Sequence, residues 1–195
     1  MTTQTIKTTC GIIATLVSVI SFVPYLKDIY KKKTQPHSYT WLIWAILQFT
    51  GVVAMYNNGA GIGALSLAVG SVFCGYIFIL SLKYGTKNIT SFDTFCLVGA
   101  LAAIAVYIFL HDAFLSVILI TVIDFAGFLP TLRKAYAEPY SETLSLFILG
   151  VISSSFNIVA ISTYSITTTL FPAYILFANL FFTVMIWMRR KVIQA

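Results

Sequence analysis

Of the six acidic residues in this chain, Asp124 alone lies deep in an apolar run, within "TVIDFAGFLPTLRKAY" at 121–136. A carboxylate can exchange protons, ligate a metal or bind a cation. No Lys or Arg falls at the depth of Asp124 to pair with it, and neutralising the carboxylate with a proton is less costly than burying its charge. The residue type and place therefore point to a group that binds a proton or a cationic moiety, with its charge state biasing which side of the protein is open. The structural alternative is a protonated aspartate bonded to polar neighbours such as Ser153 or Asn157. Ser18, Gln48, Ser71, Ser153, Ser154 and Asn179 fall near the same depth of their own apolar runs, with Asn157 about a turn further out. Serines inside such runs also serve helix packing. Gln48 and Asn179 are larger, and either bind a solute or bond to other helices. Asp124, Asn179, Gln48, Ser71, Ser153, Asn157 and Ser18 are the candidate substrate-binding residues.

Other chemistries find little material. His37 and His111 lie on opposite faces, and Cys10, Cys74 and Cys96 sit in or at the edges of apolar runs, spaced neither as metal ligands nor as a disulfide framework. The cysteines read as small packing residues. No catalytic residue, metal site or cofactor is expected, and an enzyme would show acid, base or metal-ligating groups in a cluster.

The elements that carry these residues are set by composition. The 195 residues are 59% hydrophobic and 9% charged, with a mean hydropathy of +0.92. A soluble domain holds roughly half and a quarter. Apolar runs of roughly 17 to 25 residues, enough to cross about 30 Å of hydrocarbon, predict an all-α integral membrane protein with seven spans at 10–29, 39–57, 61–82, 93–110, 113–132, 143–162 and 167–188. Apart from Lys7, the basic residues gather in alternate loops and the tail: Lys27 with Lys31, Lys32 and Lys33; Lys83 with Lys87; Arg133 with Lys134; and Arg189, Arg190 and Lys191. The positive-inside rule then predicts an N-out, C-in topology. The same rule explains the net charge of +6 without a nucleic-acid partner. Trp41, Trp44 and Trp187, towards the inner ends of spans, read as an interfacial aromatic belt or as ligand contacts. The polar start "MTTQTIKTT" and the full-length first run argue against a cleaved signal peptide. The "NIT" at Asn88 falls on the inner face and is not expected to be glycosylated. Partners are then membrane lipids and a small-molecule substrate, in a membrane expected to be the inner membrane of a prokaryote.

A repeat organises the spans. "SFVPYLKDIY" aligns with "GFLPTLRKAY" on Pro24 and Pro130, and a loop later "PHSYT" (36–40) faces "PYSET" (139–143). Each is followed by two apolar spans ending in basic residues. The unmatched fourth run makes the plan 3+1+3, with repeats at 10–82 and 113–188 and a linker helix at 93–110. An odd linker gives both triplets one orientation, so they are parallel repeats about an axis along the membrane normal. The repeat-mate of Asp124 is Ser18, so the halves serve any function unequally. Pro24 and Pro130 fall inside helices and would kink them; Pro36 and Pro139 fall where the next helix begins. All four are hinge or gate candidates, or else shape helix ends.

The 3+1+3 plan, the topology, and a span-one proline followed by a short basic loop and a second proline resemble the SWEET, SemiSWEET and PQ-loop transporter superfamily over essentially the whole chain. The resemblance implies three-helix bundles in the order first, third, second, with a substrate path between them. The name-giving Pro-Gln stands here as Pro24-Tyr25 and Pro130-Thr131. Sugar-transporting members place an asparagine on the third helix of each bundle; Asn179 matches in the second, whereas the first offers Ser71, Phe73 or Cys74. No tryptophan stands in the outer half of the second or sixth span to stack on a sugar. The reading is a small transporter working by alternating access, with a proton-coupled amino acid or cationic metabolite, or a sugar in a SWEET-type uniporter, as cargo. A seven-helix receptor is the rival of another class, although the seventh span has no lysine for a retinal Schiff base.

Overall fold

The computed structural model describes residues 2–85, 90–110 and 112–193, with the backbone alone at Asp93, Cys96, Pro130 and several residues of the fourth helix. His111, Lys87 and Asn88 lie outside the described residues. With no water to satisfy them, peptide groups in hydrocarbon must bond within their own helix, and the chain is correspondingly helical: α1 (Thr3–Tyr30), α2 (Ser38–Asn57), a 3-10 turn (Gly61–Ala64), α3 (Leu65–Tyr84), α4 (Ser91–Leu110), α5 (Ala113–Ala137), α6 (Leu144–Ala160) and α7 (Ile166–Val192). Among the described residues, five segments are long and apolar enough to cross a membrane: α1, α2, α3 with its 3-10 turn, α5 and α7. At 17 residues α6 is at the short end of that range.

Polar side chains start several helices by accepting otherwise unpaired N–H groups. Asp112 takes the Leu115 N–H at 2.9 Å to begin α5, and Ser165 with Thr168 forms a capping box on α7. The ends differ from the sequence expectation. α5 and α7 run on to Ala137 and Val192, so Arg133, Lys134, Arg189, Arg190 and Lys191 sit on helical turns and not in loops. Cations are favoured at a helix C-terminus, and rings extend the support: Arg189 stacks on Tyr136 at 3.9 Å and Lys191 on Trp187 at 3.4 Å. The third span opens in a 3-10 turn because Gly59 and Gly61 take positive φ of 84° and 59°, breaking the helical path there.

α3 packs between α1 and α2, and α7 between α5 and α6; α1 lies along α6, α2 along α5, and α4 packs outside against α5 and α2. Six helices thus make a ring, α1–α3–α2–α5–α7–α6. Two apolar layers fill it. One holds Leu47, Met55, Leu67, Ile120 and Phe171; the other holds Phe22, Tyr25, Trp41, Phe128, Phe147 and Phe182.

Both ends of the ring are tied between residues early and late in the chain. At one end Ser162 N–H donates to Ala60 O and Thr163 N–H to Gly59 O, each at 3.1 Å, while Lys7 Nζ donates to Ser162 O at 2.9 Å. This is a local use for the basic residue that stood apart from the loop pattern. At the other end, which carries the basic helix termini, Thr143 Oγ1 donates to Asp28 Oδ2 at 2.8 Å, leaving Thr34 to donate to Thr143 at 2.9 Å. Glycine permits the first closure, because a Cβ on Gly63 would come within 2.9 Å of Ile161 Cα. Backbone cannot yield as a flexible side chain does. Gly63→Leu is therefore expected to lower stability in detergent by about 1–3 kcal/mol, read as a fall in Tm; an unchanged Tm would show that this contact does not hold the end together.

Candidate functional site

Between the two apolar layers lies a cavity of about 130 Å³, several times what one water needs. All six ring helices line it: Ser18, Ser21 and Phe22 from α1; Trp41, Trp44 and Gln48 from α2; Ser66, Gly70 and Cys74 from α3; Asp124 and Phe128 from α5; Gly150, Ser153, Ser154 and Asn157 from α6; Tyr174 and Asn179 from α7. Six of the seven substrate-binding candidates, Asp124, Asn179, Gln48, Ser153, Asn157 and Ser18, therefore meet in one space. Ser71 does not. Its hydroxyl donates to Ala45 O at 2.9 Å across the α3–α2 seam, a packing bond that turns it from the cavity.

Asp124 is 7% exposed and accepts the Tyr174 hydroxyl on Oδ2 at 2.8 Å. Among the described residues no cation pairs with it. Tyr174 was not singled out from the sequence, although it lines the cavity from α7 as Asn179 does. Neither of the neighbours anticipated for a structural aspartate bonds it: Ser153 Oγ donates to Ala14 O at 2.8 Å, and Asn157 Oδ1 is buried with no partner. Ser18, the repeat-mate, reaches Ser66 O only at 3.5 Å.

Two amides complete the middle of the cavity. Asn179 Nδ2 donates to Ile175 O at 2.8 Å, which leaves its oxygen over Gly150, where an added Cβ would come within 2.7 Å. Gln48 Nε2 donates to Cys74 Sγ at 3.2 Å, and its oxygen lies against Gly70. Each amide rests on a glycine of the neighbouring helix. Gln48, a candidate by its depth in the second span, comes from the second helix of its triplet, where the resemblance implies an asparagine on the third.

Below the cavity, towards the basic end, aromatic rings close the space. Phe128 follows Asp124 by four residues and Trp44 precedes Gln48 by four, so each stands one turn away on the same face; their centroids are 5.8 Å apart. Trp44 also meets Trp41 at 5.1 Å, and Trp41 meets Tyr25 at 4.9 Å. Trp41 is 3% exposed. These two tryptophans are interior, not an interfacial belt, because the ring of helices gives them an apolar inside to face; Trp187 remains exposed. Cys74 is likewise more than filler, since it lines the cavity and bonds Gln48.

The prolines divide. Pro24 is inside α1, with Pro172 a further helical proline that the repeat did not flag. Pro130 lies within α5. Pro36 and Pro139 stand in loops, ahead of the caps His37 and Thr143 and not at first helical positions. His37 caps α2 by accepting the Thr40 N–H, whereas Thr143 makes no side-chain cap on α6 and gives its hydroxyl to Asp28.

Beyond the rings, Lys134 Nζ donates to Glu142 Oε1 at 2.9 Å and to Gln35 O at 3.1 Å, Tyr25 bonds the same carboxyl, and Arg190 donates to Glu142 O at 2.8 Å. This network crosses from the α1–α2 loop to the α5–α6 loop. Burial holds the Glu142 carboxyl above its ordinary range, and Lys134 and Tyr25 draw it partly back. No family model, curated protein or solved structure matches this chain.

Removing one partner of a buried ion pair leaves the other charge uncompensated, at about 3–5 kcal/mol. Glu142 is 5% and Lys134 25% exposed, so Lys134→Met should cost about 3 kcal/mol, the low end of that range. Because the folded carboxyl holds its proton more tightly than the unfolded one, the penalty is full above the folded value and vanishes below the unfolded one. The Tm deficit of Lys134→Met should shrink on acidification, and Glu142→Gln in that background should restore stability at neutral pH. A deficit independent of pH would assign the loss to packing.

Proposed function

We propose that the chain is a small membrane transporter that moves a polar solute by alternating access between two parallel three-helix bundles, α1–α3 and α5–α7, joined by the linker helix α4. The observation that carries this reading is a cavity lined by all six bundle helices, each contributing a polar side chain, and lying between two apolar layers. It is further supported by the packing order, first, third, second in each triplet, and by the position of α4 outside the ring. The basic helix ends lie together, which favours an N-out, C-in orientation. The contacts at the Thr34–Thr143 end and at the Ala60–Ser162 end are the two gates, opened in alternation.

Asp124 is the proton-binding group in this reading. Among the described residues it is the only carboxylate lining the cavity, and Cys74 and Tyr174 are the titratable groups facing it. In proteoliposomes loaded with a pH-sensitive dye, some member of a panel of sugars, amino acids and amines should change the lumenal pH with the wild-type protein. Asp124→Asn should abolish that change while leaving the Tm near wild type. Solute entry with no proton movement, unaltered by the substitution, would remove Asp124 from coupling.

A sugar uniporter is the second reading. Gln48 and Asn179 favour it, since they present amide groups to the cavity from the two halves.

A further inference from the structure

The groups around the middle of the cavity share a property that narrows the solute. Several of their donors are spent inside the protein: the Tyr174 hydroxyl goes to Asp124, one N–H of the Asn179 amide to Ile175 O, one N–H of the Gln48 amide to Cys74, and the Ser153 hydroxyl to Ala14 O. The acceptors are left over: the second oxygen of Asp124, the amide oxygen of Asn179, and Asn157 Oδ1, which is buried without a partner. A buried polar atom without a partner costs about 1–3 kcal/mol, so the site is completed by a ligand that donates.

Charge narrows it further. The lining carries one carboxylate and no Lys or Arg. A solute bearing its own carboxylate would bring a second negative charge into a small, mostly apolar space with nothing to balance it. A cation is balanced by Asp124 itself. One turn towards the basic end, Trp44 and Phe128 offer ring faces, which attract cations and cover alkyl carbon.

We propose, resting on the transporter reading, that the solute is a small organic monocation bearing N–H groups and no carboxylate, seated with its nitrogen at Asp124. The ammonium donates to the free Asp124 oxygen and to the amide oxygens, and its carbon chain lies on the aromatic floor. A proton and this cation then compete for one carboxylate, which couples their movements as an exchange.

The test uses the purified full chain and three matched probes, n-butylammonium, norleucine and n-butanol, with glucose as a fourth. They are compared at equal ionic strength by thermal shift, since a ligand that binds only the folded state raises its Tm. Butylammonium should raise Tm by several degrees in a saturable way, and norleucine and butanol should not. The effect should vanish in Asp124→Asn, provided that variant melts near wild type without ligand. In the wild-type protein alone, stabilisation by norleucine or glucose in place of butylammonium would overturn the amine assignment and leave the transporter reading standing. Silence from all four at saturating concentration would also overturn the amine assignment. The transporter reading fails separately, if stabilising compounds never enter proteoliposomes.

Discussion

An aspartate inside an apolar helix has to find its partners within the protein, and the arrangement around Asp124 follows from that constraint. One oxygen is met by Tyr174 from the neighbouring α7. The serines and amides of the other helices gather in the same layer, where polar groups can face one another and not hydrocarbon. Two apolar layers then enclose them, one around Met55 and Phe171 and the other around Trp41, Phe128 and Phe182. A polar layer of this kind lets a solute exchange water for protein groups without meeting lipid.

Close approach of the helices depends on residues that are hardly there. Gly51 faces Phe171, Gly63 faces Ile161, and Gly70 and Gly150 each lie under an amide. The last two serve packing and site at once, because the absent side chain makes room for Gln48 and Asn179. The closures at the ends are made differently. The Ala60–Ser162 end is joined through backbone, Lys7 and tight glycine contacts, whereas the basic end is joined by side chains, among them Asp28, Thr143, Glu142 and Lys134. Side-chain bonds exchange for water more readily than close-packed backbone separates, so under the proposed transporter reading the basic end is the one expected to open first.

Much of this was legible in the sequence for a simple reason: hydrocarbon imposes the same demand on every span. Seven apolar runs gave seven helices, and the departures are physical: α1 starts at Thr3, seven residues ahead of its run, where the Thr2 hydroxyl caps it. Cations favoured at helix ends drew α5 and α7 past their apolar limits, and Gly59 and Gly61 broke the start of the third span. Polar residues at mid-depth, Asp124, Asn179, Gln48, Ser153, Asn157 and Ser18, came together because depth is conserved when helices assemble side by side. Depth says nothing of rotation about the helix axis. Ser71, at the right depth, faces α2, while Tyr174, apolar enough to pass as lining, supplies the partner of Asp124. Trp41 and Trp44 look interfacial by position and are interior by rotation. The Lys134–Gln35 and Asp28–Thr143 bonds join residues of different repeats, and no spacing along the chain foretells them.

The central claim is that the two triplets part at the basic end. Spin labels on Lys33→Cys and Glu138→Cys, exposed in the first-half and second-half loops, in a background with Cys10, Cys74 and Cys96 replaced, would report their separation by pulsed electron resonance. The expected result is two distance populations, the shorter matching the closed contacts between Thr34, Asp28 and Thr143, with proportions that shift with pH and with Asp124→Asn. One narrow population at the closed distance under every condition would contradict the account.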